Sequence, residues 1–163
     1  MGYQLCAAIA GSGLLREAVA GGMPAAAVEL GHGLALMPMT EALFDAVPAV
    51  AAVADRTKGD DGWGFRFLPR GFGGVLERWS AAGPVAYVEA EYFGGVGAQR
   101  AAVWSRGALT LGPLGLDEGE PVPAGTGTPV SAALRALGVR AEAGSDEFDT
   151  VGLRRHRHTG NWC

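Results

Sequence analysis

Apolar and polar residues alternate most clearly over residues 85–93. This period of two is typical of a β-strand, in which successive side chains point to opposite faces. The glycines of residues 94–97 predict a tight or bulged connection after that strand, and residues 101–104 and 108–111 predict a hairpin. We therefore expect three neighbouring antiparallel strands, with Tyr87, Glu89, Glu91 and Phe93 on one face of the first strand and Ala86, Val88, Ala90 and Tyr92 on the other.

The N-terminal part of the chain is predicted to alternate short strands with a helix. Residues 3–10 form an apolar run of strand length, and Ser12 is placed to cap a helix over residues 14–20. Residues 25–30 and 34–37 are predicted strand pieces on either side of the turn sequence Gly31-His32-Gly33.

A second helix is predicted over residues 41–47, because Thr40 is placed to cap it. Residues 55–62 are the most polar stretch and predict an exposed loop. A strand edge and a third helix are then expected from two patterns of large apolar residues: Trp63, Phe65 and Phe67 alternate, and Phe72, Leu76 and Trp79 have helical spacing. In the helix predicted over residues 41–47, the side chains of Leu43, Phe44 and Val47 are expected to face the core.

The C-terminal part begins with a loop over residues 114–127, which is rich in Pro, Gly and acidic residues. Thr128 and Pro129 then start the helix with the strongest signals, which carries the apolar stripe Val130, Leu134 and Leu137 and ends before Gly138. A short strand over residues 139–143 and a short helix capped by Asp146 are expected next. Residues 153–163 are predicted to form a basic C-terminal tail.

These elements predict one α+β domain over residues 1–163. We expect an antiparallel or mixed sheet of about five or six strands, with helices packed mainly on one face. A chain of 163 residues fits a single domain, and its 48% hydrophobic and 18% charged residues are typical of a globular protein.

Composition excludes several classes of function. The net charge of −4 disfavours binding to nucleic acid, which requires a basic face, and it favours a basic partner. No apolar run reaches the roughly 18 residues of a membrane span, and the N-terminus lacks the positively charged start of a signal peptide. Cys6 and Cys163 do not form a disulfide framework. We therefore expect a cytoplasmic protein that does not bind membranes.

Glu89 and Glu91 are the first candidates for chemistry. Their spacing on one strand face allows acid–base catalysis or binding of a divalent cation. The alternative is a solvated face, or ion pairs with Arg66 and Arg100. A third interpretation is a binding surface that includes Tyr87 and Tyr92.

Gln99 and Tyr92 flank the glycine connection. The amide of Gln99 can hold a ligand carbonyl or anion beside exposed backbone N–H groups, or it can simply fix the loop. His32 is a weak candidate catalyst, because a histidine between two glycines is usually a turn residue.

Two other groups of residues are weaker candidates for a site. Gly11-Ser12-Gly13 follows a predicted strand and opens a helix, as in a dinucleotide-binding turn, but Arg16 stands where a small residue is needed. His156 and His158 are weak metal-ligand candidates, since the neighbouring arginines repel a cation. No cofactor is indicated. The acidic stretch over residues 117–149 either docks a basic partner or pairs with the basic tail.

Three blocks of the chain resemble a family of small, mainly actinobacterial proteins: AYVEAEYFGGVGAQRAAVW, PVSAALRALGV and DEFDTVGLRRHR. The YFGGVGxQ block identifies that family. The family has no established activity or catalytic residues, so the resemblance implies no role for any single residue. The chain is a small acidic protein without a catalytic signature, and in these general properties it resembles immunity proteins of bacterial toxin systems.

The leading hypothesis is a non-enzymatic cytoplasmic binding protein, such as an immunity-type inhibitor, whose partner is another protein. Its binding residues are expected to be Tyr87, Glu89, Glu91, Tyr92, Gln99 and Arg100. The first alternative is a small enzyme that uses Glu89 or Glu91. The second is a binder of a small molecule or nucleotide at Gly11-Ser12-Gly13.

Overall fold

The structure is a computed structural model that describes residues 2–51, 64–69, 71–93 and 96–162. A six-stranded sheet lies at its centre. The strands lie in the order β2-β3-β1-β4-β5-β6, and each pair of neighbours is antiparallel. Their bounds are β1 (Tyr3–Gly11), β2 (Val28–Glu29), β3 (Leu34–Pro38), β4 (Val85–Phe93), β5 (Val96–Ser105) and β6 (Ala108–Leu116). The predicted α+β class and the three neighbouring antiparallel strands, β4, β5 and β6, are confirmed.

Helices cover both faces of the sheet, whereas the sequence led us to expect them mainly on one. The helices α1 (Ser12–Ala20), α2 (Glu41–Ala51) and α3 (Phe72–Trp79) pack on the first face, and α4 (Pro129–Ala136) and α5 (Glu147–Val151) pack on the second. The reason lies in β1, whose residues 5–10 are all buried. A strand that is apolar on both sides must be covered on both sides.

Several predicted boundaries differ from the observed ones. Gly11, not Ser12, precedes the first residue of α1, and the Ser12 hydroxyl donates to Glu29 instead of capping the helix. Phe44 is exposed, whereas Leu43 and Val47 are buried as predicted. Residues 139–143 form no strand. Thr128 and Asp146 cap α4 and α5 as predicted, since each side chain accepts a backbone N–H of its helix.

The segment over residues 64–69 is irregular and is not the predicted strand edge. Phe65 and Leu68 are buried against the first face, while Phe67 between them is exposed. A strand would have placed Phe65 and Phe67 on the same side. Trp63, the first residue of the predicted pattern, lies outside the described residues.

The C-terminal residues 153–162 are part of the fold and not a free basic tail. Leu153 and Trp162 are buried on the second face, and Thr159 is buried beside β1. The backbone N–H of Gln4 donates to the Arg157 carbonyl (2.7 Å), and that of Cys6 donates to the Thr159 hydroxyl (3.0 Å). Because β3 pairs with β1 only from Ala7 onward, this segment supplies partners for the part of β1 that β3 does not reach.

Candidate functional site

The candidate site is a polar depression at one end of the first face of the sheet. Its empty volume of about 450 Å³ is open to solvent. Strands β1, β4 and β5 contribute to its lining, together with the irregular segment over residues 64–69. The polar residues that line this polar depression are Gln4, Cys6, Arg66, Glu89, Glu91, Gln99, Arg100 and Asp117, of which Gln99 directs its side chain to the other face.

Two buried side chains of β4 hold the backbone of residues 66–67. The carboxylate of Glu89 accepts the N–H of Arg66 at 2.8 Å on one oxygen and the N–H of Phe67 at 2.7 Å on the other. The hydroxyl of Tyr87 donates to the carbonyl of Phe67 at 2.6 Å. Both polar backbone groups of Phe67 are therefore bound to buried side chains of the sheet.

This arrangement fixes two exposed side chains at the rim of the polar depression. Phe67 is 47% exposed, although both its backbone polar groups are held by buried side chains. The Arg66 side chain is 72% exposed. The buried neighbours Phe65 and Leu68 anchor the segment from both sides, and the Phe65 ring packs edge-on against Tyr87, with ring centroids 5.1 Å apart.

Ion pairs connect the charged groups around the polar depression. Arg66 binds one oxygen of Glu91 at 3.0 Å, which confirms the predicted ion pair. Arg100 binds Asp117, the first residue of the acidic stretch over residues 117–149. Although Arg100 lies opposite Glu89 on the neighbouring strand, the hydrogen bonds that Glu89 accepts come from backbone N–H groups.

Burial governs the protonation of the groups on the floor of the polar depression. Burial raises the pKa of Glu89, and the two backbone N–H groups oppose that rise. Burial, followed by the nearby charges of Glu89 and Glu91, also raises the pKa of the Cys6 thiol far above its ordinary value. A thiol that stays protonated is a poor nucleophile.

The Tyr92 hydroxyl and the Gln99 amide lie on the second face of the sheet. Gln99 donates to the Tyr92 hydroxyl, and its carbonyl oxygen accepts the N–H of Val130 at 2.9 Å, in the first turn of α4. The Tyr92 ring packs against Tyr3 and Phe148. Of the two interpretations of Gln99, the geometry favours the one in which it ties structural elements together.

Gly97 is required for that packing. A Cβ atom at Gly97 would collide with the Tyr92 ring and with the backbone carbonyl of Glu91. The close approach of the ring to the backbone therefore explains why one glycine of the YFGGVGAQ block is glycine. Gly94 and Gly95 lie outside the described residues.

The other candidates lie away from the polar depression. Ser12 and Arg16 both donate to Glu29, so the start of α1 already holds a carboxylate. The described sheet contains no parallel strand pair, which a dinucleotide-binding β-α-β unit requires. His32 is exposed in a turn with φ of 62° and is not among the residues that line the depression.

The histidines near the C-terminus have structural surroundings. His156 packs against the buried Trp162, with ring centroids 4.7 Å apart, and the backbone of His158 bridges to Gln4. Within the described ranges no group of three or more His, Cys, Asp or Glu side chains could hold a metal ion. In the same ranges, no helix is both long enough and apolar enough to cross a bilayer.

The sequence pattern missed the part of the site that lies outside the strands. The sequence indicates Arg66 only as an ion-pair partner and predicts Phe67 in a strand. No local pattern in Phe65-Arg66-Phe67-Leu68 indicates that Phe65 and Leu68 are buried while Arg66 and Phe67 are exposed.

Comparison of the chain with protein-family models, with curated proteins and with solved structures finds no match. The resemblance based on the YFGGVGxQ block therefore stays a prediction.

Proposed function

We propose that the protein is a non-enzymatic binding protein that presents Arg66 and Phe67, at the rim of the polar depression, to another protein. The observation that carries the proposal is Phe67, an aromatic side chain that is 47% exposed while both its backbone groups are held by Glu89 and Tyr87. Aromatic residues and arginine are the residues that most often dominate binding energy at protein interfaces.

The hydrogen bonds beneath Phe67 give this surface a physical advantage. Ordering a loop on binding costs free energy, and a loop that is already ordered avoids that cost. In this view, Tyr87 and Glu89 support the binding surface from below and do not contact the partner. Arg66, Phe67 and Glu91 form the contact surface.

An enzyme that uses Glu89 has less support. A general base needs a free oxygen within reach of the substrate. Both oxygens of Glu89 already accept backbone N–H groups, and the adjacent Cys6 thiol is buried and protonated. Glu91 is more open, but its described neighbours include no base or nucleophile that would work with it.

An inhibitor of the immunity type, located in the cytoplasm, is the specific form of this proposal. Such a protein needs a rigid surface complementary to its target and no catalytic group of its own. The net charge of −4 supports a basic target, because opposite net charges speed the encounter of two proteins.

Affinity capture from lysate of the native cells tests the proposal. The wild type and two single variants, Phe67→Ala and Phe44→Ala, are immobilised in parallel. Phe44 is the matched control, since it is another exposed phenylalanine (39%) on the helix α2. The proposal predicts a protein that the wild type and Phe44→Ala retain and that Phe67→Ala loses. Loss of no protein on Phe67→Ala, or equal loss on both variants, would contradict it.

A further inference from the structure

A second depression adjoins the polar depression and extends it across the sheet. It has an empty volume of about 500 Å³ and is lined by Pro113, Leu114, Gly115 and Glu120 of β6 and the turn that follows. Arg100 and Asp117 line both depressions. The two depressions together are called the groove below.

Gly115 lies beside the Arg100 side chain, which lines both depressions. A Cβ atom at Gly115 would lie 3.0 Å from Nη1 of Arg100 and 3.2 Å from its guanidinium carbon. Because this position is glycine, the Arg100 guanidinium lies close against β6. The ion pair of Arg100 with Asp117 is therefore part of the lining of both depressions.

The groove has a length that suits an extended peptide. Its lining comes from β1, β4, β5 and β6, which are successive neighbours in the sheet. Neighbouring strands are about 4.8 Å apart, so the distance from β1 to β6 is about 14 Å. An extended chain rises about 3.3 Å per residue, and about four residues would span the groove.

Among the described residues that line the groove, carboxyl groups outnumber arginines. Arg66 and Arg100 each have a carboxylate partner already, namely Glu91 and Asp117. One further exposed carboxyl group, that of Glu120, lines the groove. The carboxylate of Glu89 is buried and already accepts two backbone N–H groups, so it is not counted here. Charge complementarity therefore favours a basic occupant over an acidic one.

We infer that the groove binds an extended segment of the partner protein, about four residues long and carrying arginine or lysine side chains. The inference rests on the proposed function and names the part of the partner that this surface recognises. The Phe67 ring at the rim adds a face on which a guanidinium can stack. A neutral or acidic segment lacks this complementarity.

Fluorescence polarisation with labelled hexapeptides tests the inference. The probes are a peptide with two arginines among alanines and glycines, and the same peptide with glutamates in place of the arginines. We expect the basic peptide to bind and the acidic peptide to bind at least tenfold more weakly. Equal binding of the two peptides, or no binding of the basic one, would overturn the inference.

Matched charge variants separate binding in the groove from attraction to an acidic protein in general. Glu120→Gln removes a carboxylate that lines the groove, and Glu142→Gln removes an exposed one that does not line it. We expect the first to weaken binding of the basic peptide by about twofold to fivefold, the size of one exposed ion pair, and the second to leave it unchanged. Equal effects would overturn the inference.

The capture experiment distinguishes this failure from failure of the proposed function. If a partner is retained through Phe67 but the peptides show no preference for the groove, only the identity of the recognised segment is wrong. If the peptides bind as expected but no partner depends on Phe67, the proposed function is wrong, while the groove is still a binding site for basic peptides.

Discussion

The buried carboxylate of Glu89 accepts a hydrogen bond of 2.7 Å from the backbone N–H of Phe67, although 22 positions separate the two residues in the chain. With the second bond, from the Arg66 N–H, this makes Glu89 the anchor of an irregular segment. A carboxylate that was singled out as a candidate acid or base has a structural partner for each oxygen. Its neighbour Glu91, on the same strand face, is open to solvent and pairs with the Arg66 side chain.

The two glutamates are expected to differ in their contribution to stability. Glu89→Gln places an amide NH₂ against one of the two backbone N–H donors, and we expect it to lower the free energy of unfolding by about 1–3 kcal/mol at neutral pH. Glu91→Gln removes only an exposed ion pair and is expected to cost no more than about 1 kcal/mol. Urea unfolding of both variants measures the difference. Equal costs would show that Glu89 is not the anchor.

Tyr87→Phe removes the hydroxyl that binds the Phe67 carbonyl while keeping the buried ring. The expected cost is about 0.5–1.5 kcal/mol, the net worth of one hydrogen bond, and urea unfolding measures it. We also expect the variant to lose part of the affinity for any partner that requires Phe67, because the segment becomes less ordered. A variant with lower stability and undiminished affinity would argue against Tyr87 as a support of the binding surface.

Glu89 makes a contribution to the pH dependence of stability whose sign follows from its raised pKa. Burial raises its pKa above the ordinary 4.5, so the folded protein keeps this proton at a pH where the unfolded chain has released it. The stability that Glu89 contributes is therefore greatest below pH 4.5 and decreases as the pH rises through the folded-state pKa. We expect Glu89→Gln to destabilise the protein more at about pH 4 than at about pH 7, as measured by urea unfolding at both values. A larger cost at neutral pH would contradict the raised pKa.

The C-terminal residues are expected to be essential for stability. Trp162 is fully buried, and Trp162→Ala should cost about 3–5 kcal/mol. Thr159→Val leaves the Cys6 N–H without its acceptor and should cost about 1–3 kcal/mol. The exposed His158 is the control, since His158→Ala should change stability by less than about 0.5 kcal/mol. Thermal or urea unfolding measures the stability of all three variants. Small losses of stability in all of them would show that the C-terminal residues are dispensable for folding.

The sequence was sufficient to predict features that depend on local spacing. The alternation in β4 placed Tyr87, Glu89 and Glu91 on one side of the sheet, and Thr128 and Pro129 marked the start of α4. Both follow from the period of a strand or the chemistry of a helix start, which neighbouring residues determine.

Features that depend on distant contacts could not be predicted. Whether Glu89 is solvated or buried depends on the path of residues 64–69, and the packing of Phe65 and Leu68 decides that path. In the same way, the burial of Trp162 depends on the part of β1 that β3 leaves unpaired. Neither relationship leaves a periodic signal in the chain.

Amide hydrogen exchange at Arg66 and Phe67 is the most direct measurement of the support that Glu89 gives to this surface. Both N–H groups point at a buried carboxylate, and we expect them to be protected in the wild type. Glu89→Gln should reduce their protection by about tenfold or more, equivalent to about 1.4 kcal/mol, whereas Glu91→Gln should leave it unchanged. Exchange of these two amides in the wild type at the rate of an unstructured peptide would contradict the idea that the sheet holds Phe67 ready for a partner.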